Sequence, residues 1–313
     1  MTTTSQPAIA VSGLRKSYGD KLVLDGIDLT VPAGTVFALL GPNGAGKTTA
    51  VQILSTLIGA DAGRLTVAGH DVGSAPDLVR AAIGVTGQFA ALDELLTARE
   101  NLLLMADLHH LDRDVGRARA TDLLKRFDLT DVAGKLPSTF SGGMRRRLDL
   151  SMTLVGSPRV IFLDEPTTGL DPRSRRATWE IVRQLVADGV TIFLTTQYLE
   201  EADHLADRIA VLDHGRIVAD GTAEQLKRRI PGGHVLLRFA DGPALAAAVR
   251  TLPEGVGDHD ALTLQVPGDG SVRALRALLD RLDAAAVEVE TLSVHTPDLD
   301  DVFLALTETG AAR

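Results

Sequence analysis

The apolar positions along this chain change period several times, and each change marks a new element. Near the start, Ala8 to Val11 and Val23 to Leu24 are short apolar stretches, and Val31-Pro32-Ala33-Gly34 reads as a turn after them. Thr35 to Leu40 is then a continuous apolar run, the pattern of a strand buried on both faces. Gly41 to Gly46 follow as a loop, and Lys47 to Ile58 carry helical spacing up to Gly59, the expected C-cap. A strand, a glycine loop and a helix in that order open an α/β unit.

From about Phe89 to Val155 the spacing becomes helical. Thr97 and Glu100 stand at the capping-box interval ahead of Leu102 to Met105, and Asp114 to Phe127 predicts a second helix. Strand signals return at Val160 to Leu163 and at Val190 to Leu194, with a helix between them over Arg175 to Ala187. Ile209 to Leu212 and Arg216 to Ala219, joined through Asp213-His214-Gly215, predict a hairpin. The helical stretch, about 89–155, therefore reads as an insertion in an α/β core. Ile230-Pro231-Gly232-Gly233 is a natural break, dividing the chain into 1–229 and 230–313. Beyond it, strands are expected at His234 to Phe239, Ala261 to Val266 and Val287 to Val294. Helices are expected at Ala244 to Leu252, at Ser271 to Asp283 and from about Asp298, which makes a small α+β domain.

Composition narrows the classes. With 313 residues there is room for two domains, and 45% apolar against 23% charged residues describes a globular chain. The formal charge of −9 leaves no global basic footprint for nucleic acid, and none is expected as a partner. The absence of cysteine excludes disulfides and cysteine-based zinc sites and fits a reducing cytoplasm. Met1 to Pro7 has neither the positive end nor the apolar core of a signal peptide. No stretch approaches the ~18 consecutive apolar residues of a membrane helix. A soluble chain without direct membrane insertion is expected, with any membrane role exercised through a partner.

Three motifs carry chemistry. Gly41-Pro42-Asn43-Gly44-Ala45-Gly46-Lys47-Thr48 fits G-x-x-x-x-G-K-[ST], in which backbone amides cradle phosphate oxygens, the lysine adds charge and the hydroxyl reaches Mg²⁺. The apolar strand Val160 to Leu163 ends in Asp164-Glu165, which places one carboxylate for a Mg²⁺ shell and one to orient or deprotonate water. Ser141-Gly142-Gly143-Met144 is a second candidate anion-binding helix start. The run Arg145-Arg146-Arg147 behind it reads as solvated or paired charge.

The order of these motifs resembles the ATP-binding subunits of ABC transporters, over about Ile9 to Lys227. The resemblance implies a P-loop ABC ATPase core, α/β with an antiparallel β segment and the helical insertion. In that family an aromatic at the position of Tyr18 stacks on adenine, Gln88 is the Q-loop glutamine and touches Mg²⁺, and Ser141-Gly142-Gly143 is the signature. Asp164-Glu165 is the Walker B pair and Gly169-Leu170-Asp171 the D-loop. Two positions depart from the usual pattern. The signature reads Phe140-Ser141-Gly142-Gly143-Met144, and Gln197 follows Thr195-Thr196 where most members have a switch histidine. A glutamine there can donate a hydrogen bond to the γ-phosphate but carries no charge and no mobile proton.

The segments Gly87 to Glu94, Phe140 to Leu148, Thr196 to Asp203 and the terminal Leu299 to Leu304 are similar to the daunorubicin/doxorubicin-resistance type of exporter ATPase. What the resemblance implies is an ATP- and Mg²⁺-dependent hydrolase, acting as a head-to-tail homodimer at the cytoplasmic face of the membrane on a separate multi-helix permease. One chain would contribute Tyr18, the loop Gly41 to Gly46, Lys47, Thr48, Thr49, Gln88, Asp164, Glu165 and Gln197 to each site. The other would contribute Ser141, Gly143 and Asp171. Glu165 would be the general base, and the domain after Ile230 would serve dimerisation or coupling. An importer ATPase shares every ATP residue. A soluble ABC protein acting on a macromolecule fits less well: a long coiled coil has no room between Thr48 and Ser141, and there is one P-loop. A small-molecule P-loop kinase does not account for the signature and D-loop.

Overall fold

The computed structural model describes residues 6–87, 91–228, 233–268, 270–295 and 298–308. The chain forms two compact units, Met1–Ala223 and Glu224–Arg313. The break expected at 230–233 falls largely outside the described residues.

The first unit runs, in chain order, β1 (Ile9–Tyr18), β2 (Lys21–Val31), β3 (Val36–Leu40), α1 (Lys47–Leu54), β4 (Ala62–Val67), β5 (His70–Asp71), α2 (Pro76–Ala82) and β6 (Ile83–Thr86). The insertion follows as α3 (Ala98–Leu108), α4 (Arg113–Arg126) and α5 (Gly142–Thr153). The core resumes with β7 (Val160–Asp164), α6 (Pro172–Ala187), β8 (Thr191–Thr196), α7 (Leu199–Leu205), β9 (Arg208–Asp213) and β10 (Arg216–Gly221). A short helix, α8 (Ala223–Lys227), spans the boundary between the units.

Two sheets share this unit. One is antiparallel, ordered β2-β1-β4-β5; the other is ordered β10-β9-β3-β8-β7-β6 and is parallel apart from β10. Every residue of β3, β7 and β8 is buried, which is why these strands are continuous apolar runs without alternation. Their register sets Phe37 and Phe162 on either side of Phe193, with ring centroids 5.5 and 5.6 Å from it. The same register pairs Leu40 with Thr196 and Asp164 with Thr195. Three strand ends therefore deliver the glycine loop, the two carboxylates and the Thr196-Gln197 turn to one edge.

Several expected boundaries move. The first helix ends at Leu54 and not at Ile58, because the chain turns at Thr56 (φ 65) with Thr56 N–H bonded to Ile53 O and Leu57 N–H to Gln52 O. That Schellman closure satisfies the last carbonyls before Gly59 is reached. Val31 belongs to β2, and α6 starts at Pro172, three residues ahead of the expected Arg175, because Asp171 caps it. The Thr97–Glu100 capping box is present at α3, both reciprocal bonds made.

The second unit contains β11 (His234–Arg238), α9 (Gly242–Thr251), β12 (Val256–Asp258), β13 (Thr263–Pro267), α10 (Val272–Ala284), β14 (Thr291–His295) and α11 (Leu299–Glu308). Its antiparallel sheet is ordered β12-β13-β11-β14 and carries a strand more than expected. β12 is three residues long and exposed throughout, so it left no apolar pattern to read. The last strand begins at Thr291 and not at Val287, which is buried ahead of it. Leu237, Phe239, Leu245, Leu264 and Leu282 form the core. In the terminal motif Leu299 and Val302 are buried, while Asp298 and Asp301 exchange backbone-to-carboxylate bonds at the start of α11. Packing and capping thus occupy three of its positions, Leu299, Asp301 and Val302.

Removing the central ring of the phenylalanine row leaves a void that its two neighbours cannot fill. Phe193→Ala should lower the stability of the first unit by about 3–5 kcal/mol, read as a shift of its chemical-denaturation midpoint.

Candidate functional site

The glycine loop leaves β3 and enters α1 through Gly46, whose φ of 110° and whose closeness to Leu24 exclude any side chain: a Cβ would lie 2.6 Å from Leu24 Cδ2. The loop and the start of α1 border a cleft of about 290 Å³ lined by Tyr18, Asn43, Gly44, Gly46, Lys47, Thr48, Thr49 and Glu165. Lys21 and Val23 of β2 also line it, and nothing in their spacing announced them. Tyr18 is half exposed at its rim, with Lys16 Nζ 5.6 Å from the ring centroid.

Lys47 is buried and turned back on its own loop. Its Nζ donates to the carbonyls of Gly41 (2.8 Å) and Pro42 (3.1 Å) and lies 3.5 Å from Glu165 Oε1. Burial pulls the ammonium below the usual lysine range, against the charges of Glu165 and Asp164, which hold it up. Glu165 follows β7 directly with φ 48, a left-handed conformation that costs a non-glycine residue on the order of 1–3 kcal/mol. Its amide is held by the Thr195 carbonyl and Oγ1, each at 3.1 Å, and Thr168 Oγ1 donates to its Oε2 at 3.3 Å.

Beside it, the buried Asp164 accepts hydrogen bonds from Thr195 Oγ1 and, at 3.3 Å, from Thr48 Oγ1. A hydroxyl and a carboxylate side by side are hard oxygen donors of the kind Mg²⁺ takes when phosphates complete its shell. The residues present fit that ion.

Ser141, Gly142, Gly143 and Asp171 do not line this cleft. They cluster with one another instead. Ser141 caps α5, accepting from Met144 N at 3.3 Å, and a Cβ on Gly143 would stand 2.6 Å from Ser174 Oγ on α6. Asp171 caps α6, taking the amides of Arg173 and Ser174 at 3.0 and 2.9 Å and the Ser174 hydroxyl at 2.6 Å. The Ser174 hydroxyl and amide hold its carboxyl below the usual range.

Gln197 follows β8, half-buried, one residue after the carbonyl of Thr196, which accepts from Gly41 N–H at 3.2 Å. Gln88 lies outside the described residues. The residues on either side of 88–90 are held by a buried pair: Arg146 donates to Gly87 O (3.2 Å) and to Asp149 (3.0 Å), and Asp149 accepts from Ala91 N (3.1 Å). Each arginine of the 145–147 run has an acidic partner, Glu94, Asp149 and Asp128 in turn.

Thr195 and Thr168, the groups that fix the two carboxylates, escaped the sequence reading. The only available signal was a hydroxyl at a strand end, which is common.

A glycine loop on a buried lysine, two carboxylates ending the next strand but one, and a capped Ser-Gly-Gly helix define the ATP-binding subunits of ABC transporters, and the ABC transporter family model matches residues 24–168. A daunorubicin resistance ATP-binding protein of Streptomyces coeruleorubidus is 53% identical, covering 96% of both chains. A Nod factor export ATP-binding protein of a Rhizobium species is 38% identical over 97% of this chain and 98% of its own. Among solved structures, an ATP-binding subunit of an ABC transporter superposes with TM-score 0.64 at 29% identity, over 71% of this chain and 92% of that one. The chain belongs to the daunorubicin/doxorubicin-resistance family of ABC transporter ATP-binding proteins.

Thr195→Val keeps the shape but removes the hydroxyl that orients Asp164. Losses of ~10–100-fold in metal affinity are usual for such supporting groups, so the Mg²⁺ concentration giving half-maximal ATPase should rise within that range.

Proposed function

We propose that this chain is the motor subunit that drives export of a hydrophobic or amphiphilic compound through a separate multi-helix permease, by ATP hydrolysis at sites completed by a second copy of itself. The observation that carries the reading is the division of the site. The P-loop, Asp164, Glu165 and Gln197 share one sheet edge, while Ser141, Gly143 and Asp171 gather on a different surface of the same unit. A head-to-tail homodimer brings the second set over the first. No helix among the described residues is long and apolar enough to cross a membrane. The chain then works as a peripheral subunit on the cytoplasmic face.

The order of events follows from the charges. The triphosphate takes over Lys47 from the Gly41 and Pro42 carbonyls and meets the backbone amides at the start of α1. Adenine stacks on the half-exposed Tyr18 ring, worth roughly 1–3 kcal/mol by analogy with other base–aromatic contacts. Thr48, Asp164 and Gln88 would hold Mg²⁺, which supplies positive charge at the phosphate oxygens when bound. Once Lys47 turns to the γ-phosphate, Glu165 loses its cationic neighbour and can accept a proton from the attacking water. Gln197 donates to the γ-phosphate as a neutral group. The partner's helix start at Ser141 meets the same phosphate charge, so ATP holds the pair closed, and loss of phosphate releases it. The unit after Ala223 has its own core and would serve dimerisation or coupling.

Glu165→Gln should bind ATP normally and lose about 10²–10⁴ in turnover. With ATP it should run as a dimer in size-exclusion chromatography with light scattering; near-parental hydrolysis would remove Glu165 from its role. Pull-down of the tagged chain from detergent-solubilised native membranes should bring down a stoichiometric multi-helix protein. Recovery with ribosomal or DNA-associated proteins would favour a soluble ABC ATPase.

A further inference from the structure

Behind the site lies a buried carboxylate that the reaction scheme does not use. Glu201, in the first turn of α7, is fully buried, and its Oε1 accepts from Thr167 Oγ1 (2.9 Å) and from Trp179 Nε1 (3.1 Å). Thr167 belongs to the turn between Glu165 and Asp171, and Trp179 lies on α6, the helix that Asp171 caps. Glu201 itself is four residues beyond Gln197. Burial raises the Glu201 carboxyl above the usual range, with the hydroxyls of Thr196 and Thr167, the Trp179 indole and the charge of Arg146 on α5 opposing it.

The contact continues along both helices. Arg175, Trp179 and Arg183 recur every four residues and so form one stripe on α6. The Arg175 guanidinium lies 5.2 Å from the Tyr198 ring centroid and 3.4 Å from Glu200. Trp179 packs on His204 with centroids 4.6 Å apart, and Arg183 donates to His204 O at 2.9 Å. The residue next to Gln197 and the whole of α7 are thus fastened to the helix that starts at Asp171. On its other side, α6 meets the signature helix where Ser174 blocks any side chain at Gly143.

We infer that Glu201 and Trp179 are positioning residues for ATP hydrolysis, locking Gln197 of one ATP site to Asp171 and Ser141, the groups the same chain presents to the other. The inference rests on the two-site reading above. Contact of Gln197 with a γ-phosphate would displace α7, and the Glu201–Trp179 bond would carry that displacement to the α6 start. A shift of about an ångström in such a group costs on the order of a hundredfold in rate without touching ground-state binding.

The test uses the full chain, in which Trp179 is the sole tryptophan. In the Glu165→Gln background, ATP with Mg²⁺ should change Trp179 emission and ADP should not. Adding Gln197→Ala should abolish the change while fluorescent-nucleotide binding persists. In the parental chain, Glu201→Ala should lower kcat roughly ten- to a hundredfold with KM for ATP moved by less than about threefold. Glu201→Gln, which keeps an acceptor for Thr167 and Trp179, should recover most of the rate, and this comparison still decides if the alanine variant does not fold. Identical emission with ATP and ADP, or a full kcat in folded Glu201→Ala, overturns the inference while binding and hydrolysis by the parent stand. A parent that binds no ATP overturns the two-site reading itself.

Discussion

A lysine buried between two carboxylates governs this molecule. Lys47 cannot be desolvated alone, and neither can Asp164 or Glu165. Each is tolerable because the others are there and because hydroxyls of Thr48, Thr195 and Thr168 and two loop carbonyls complete the set. The sheet exists, in functional terms, to hold that set together. Parallel strands end at one edge, and the register across β3, β8 and β7 brings the loop that leads to Lys47 beside the two carboxylates and the Thr195 hydroxyl. The buried phenylalanines a few residues earlier pack the same three strands together.

The rest of the first unit answers a different constraint. The helical insertion carries α5 to the side of α6, where Gly143 can approach Ser174 because it has no side chain. Ser141 and Asp171 each spend their side chains on the amides of their own helix starts. Both helix starts are thereby capped from within and meet as one patch.

The elements that place the site could be read from the chain because burial on both faces and phosphate binding both leave strong local marks. Thr35 to Leu40 and Val160 to Leu163 could hardly be anything other than inner strands, and the loop between β3 and α1 needs glycine at Gly46 for a reason visible in its geometry. The end of α1 was misplaced because the Schellman turn uses Thr56, a residue that rarely takes φ > 0, while Gly59 stood ready as a more usual stop. β12 left no signal because an exposed three-residue edge needs no apolar pattern. The support of Asp164 by Thr195, and of the residues flanking 88–90 by Arg146 and Asp149, joins positions far apart in sequence. Only the fold brings those together. Nothing in a triple-arginine run distinguishes its buried middle member from its neighbours.

The left-handed backbone at Glu165 has a consequence for how durability and use are related in this protein. A side chain is held there at a conformational cost, in a position where glycine would sit at ease. That cost is set against the burial of Lys47, whose ammonium lies 3.5 Å from the Glu165 carboxylate and would lose it if glycine stood here. Variants selected only for resistance to heat or denaturant would gain nothing from glycine here, because relief of about 1–3 kcal/mol of backbone strain is smaller than the about 3–5 kcal/mol lost when one partner of a buried ion pair is removed. Durability and retention of this carboxylate thus point the same way at a position where backbone strain alone would set them apart.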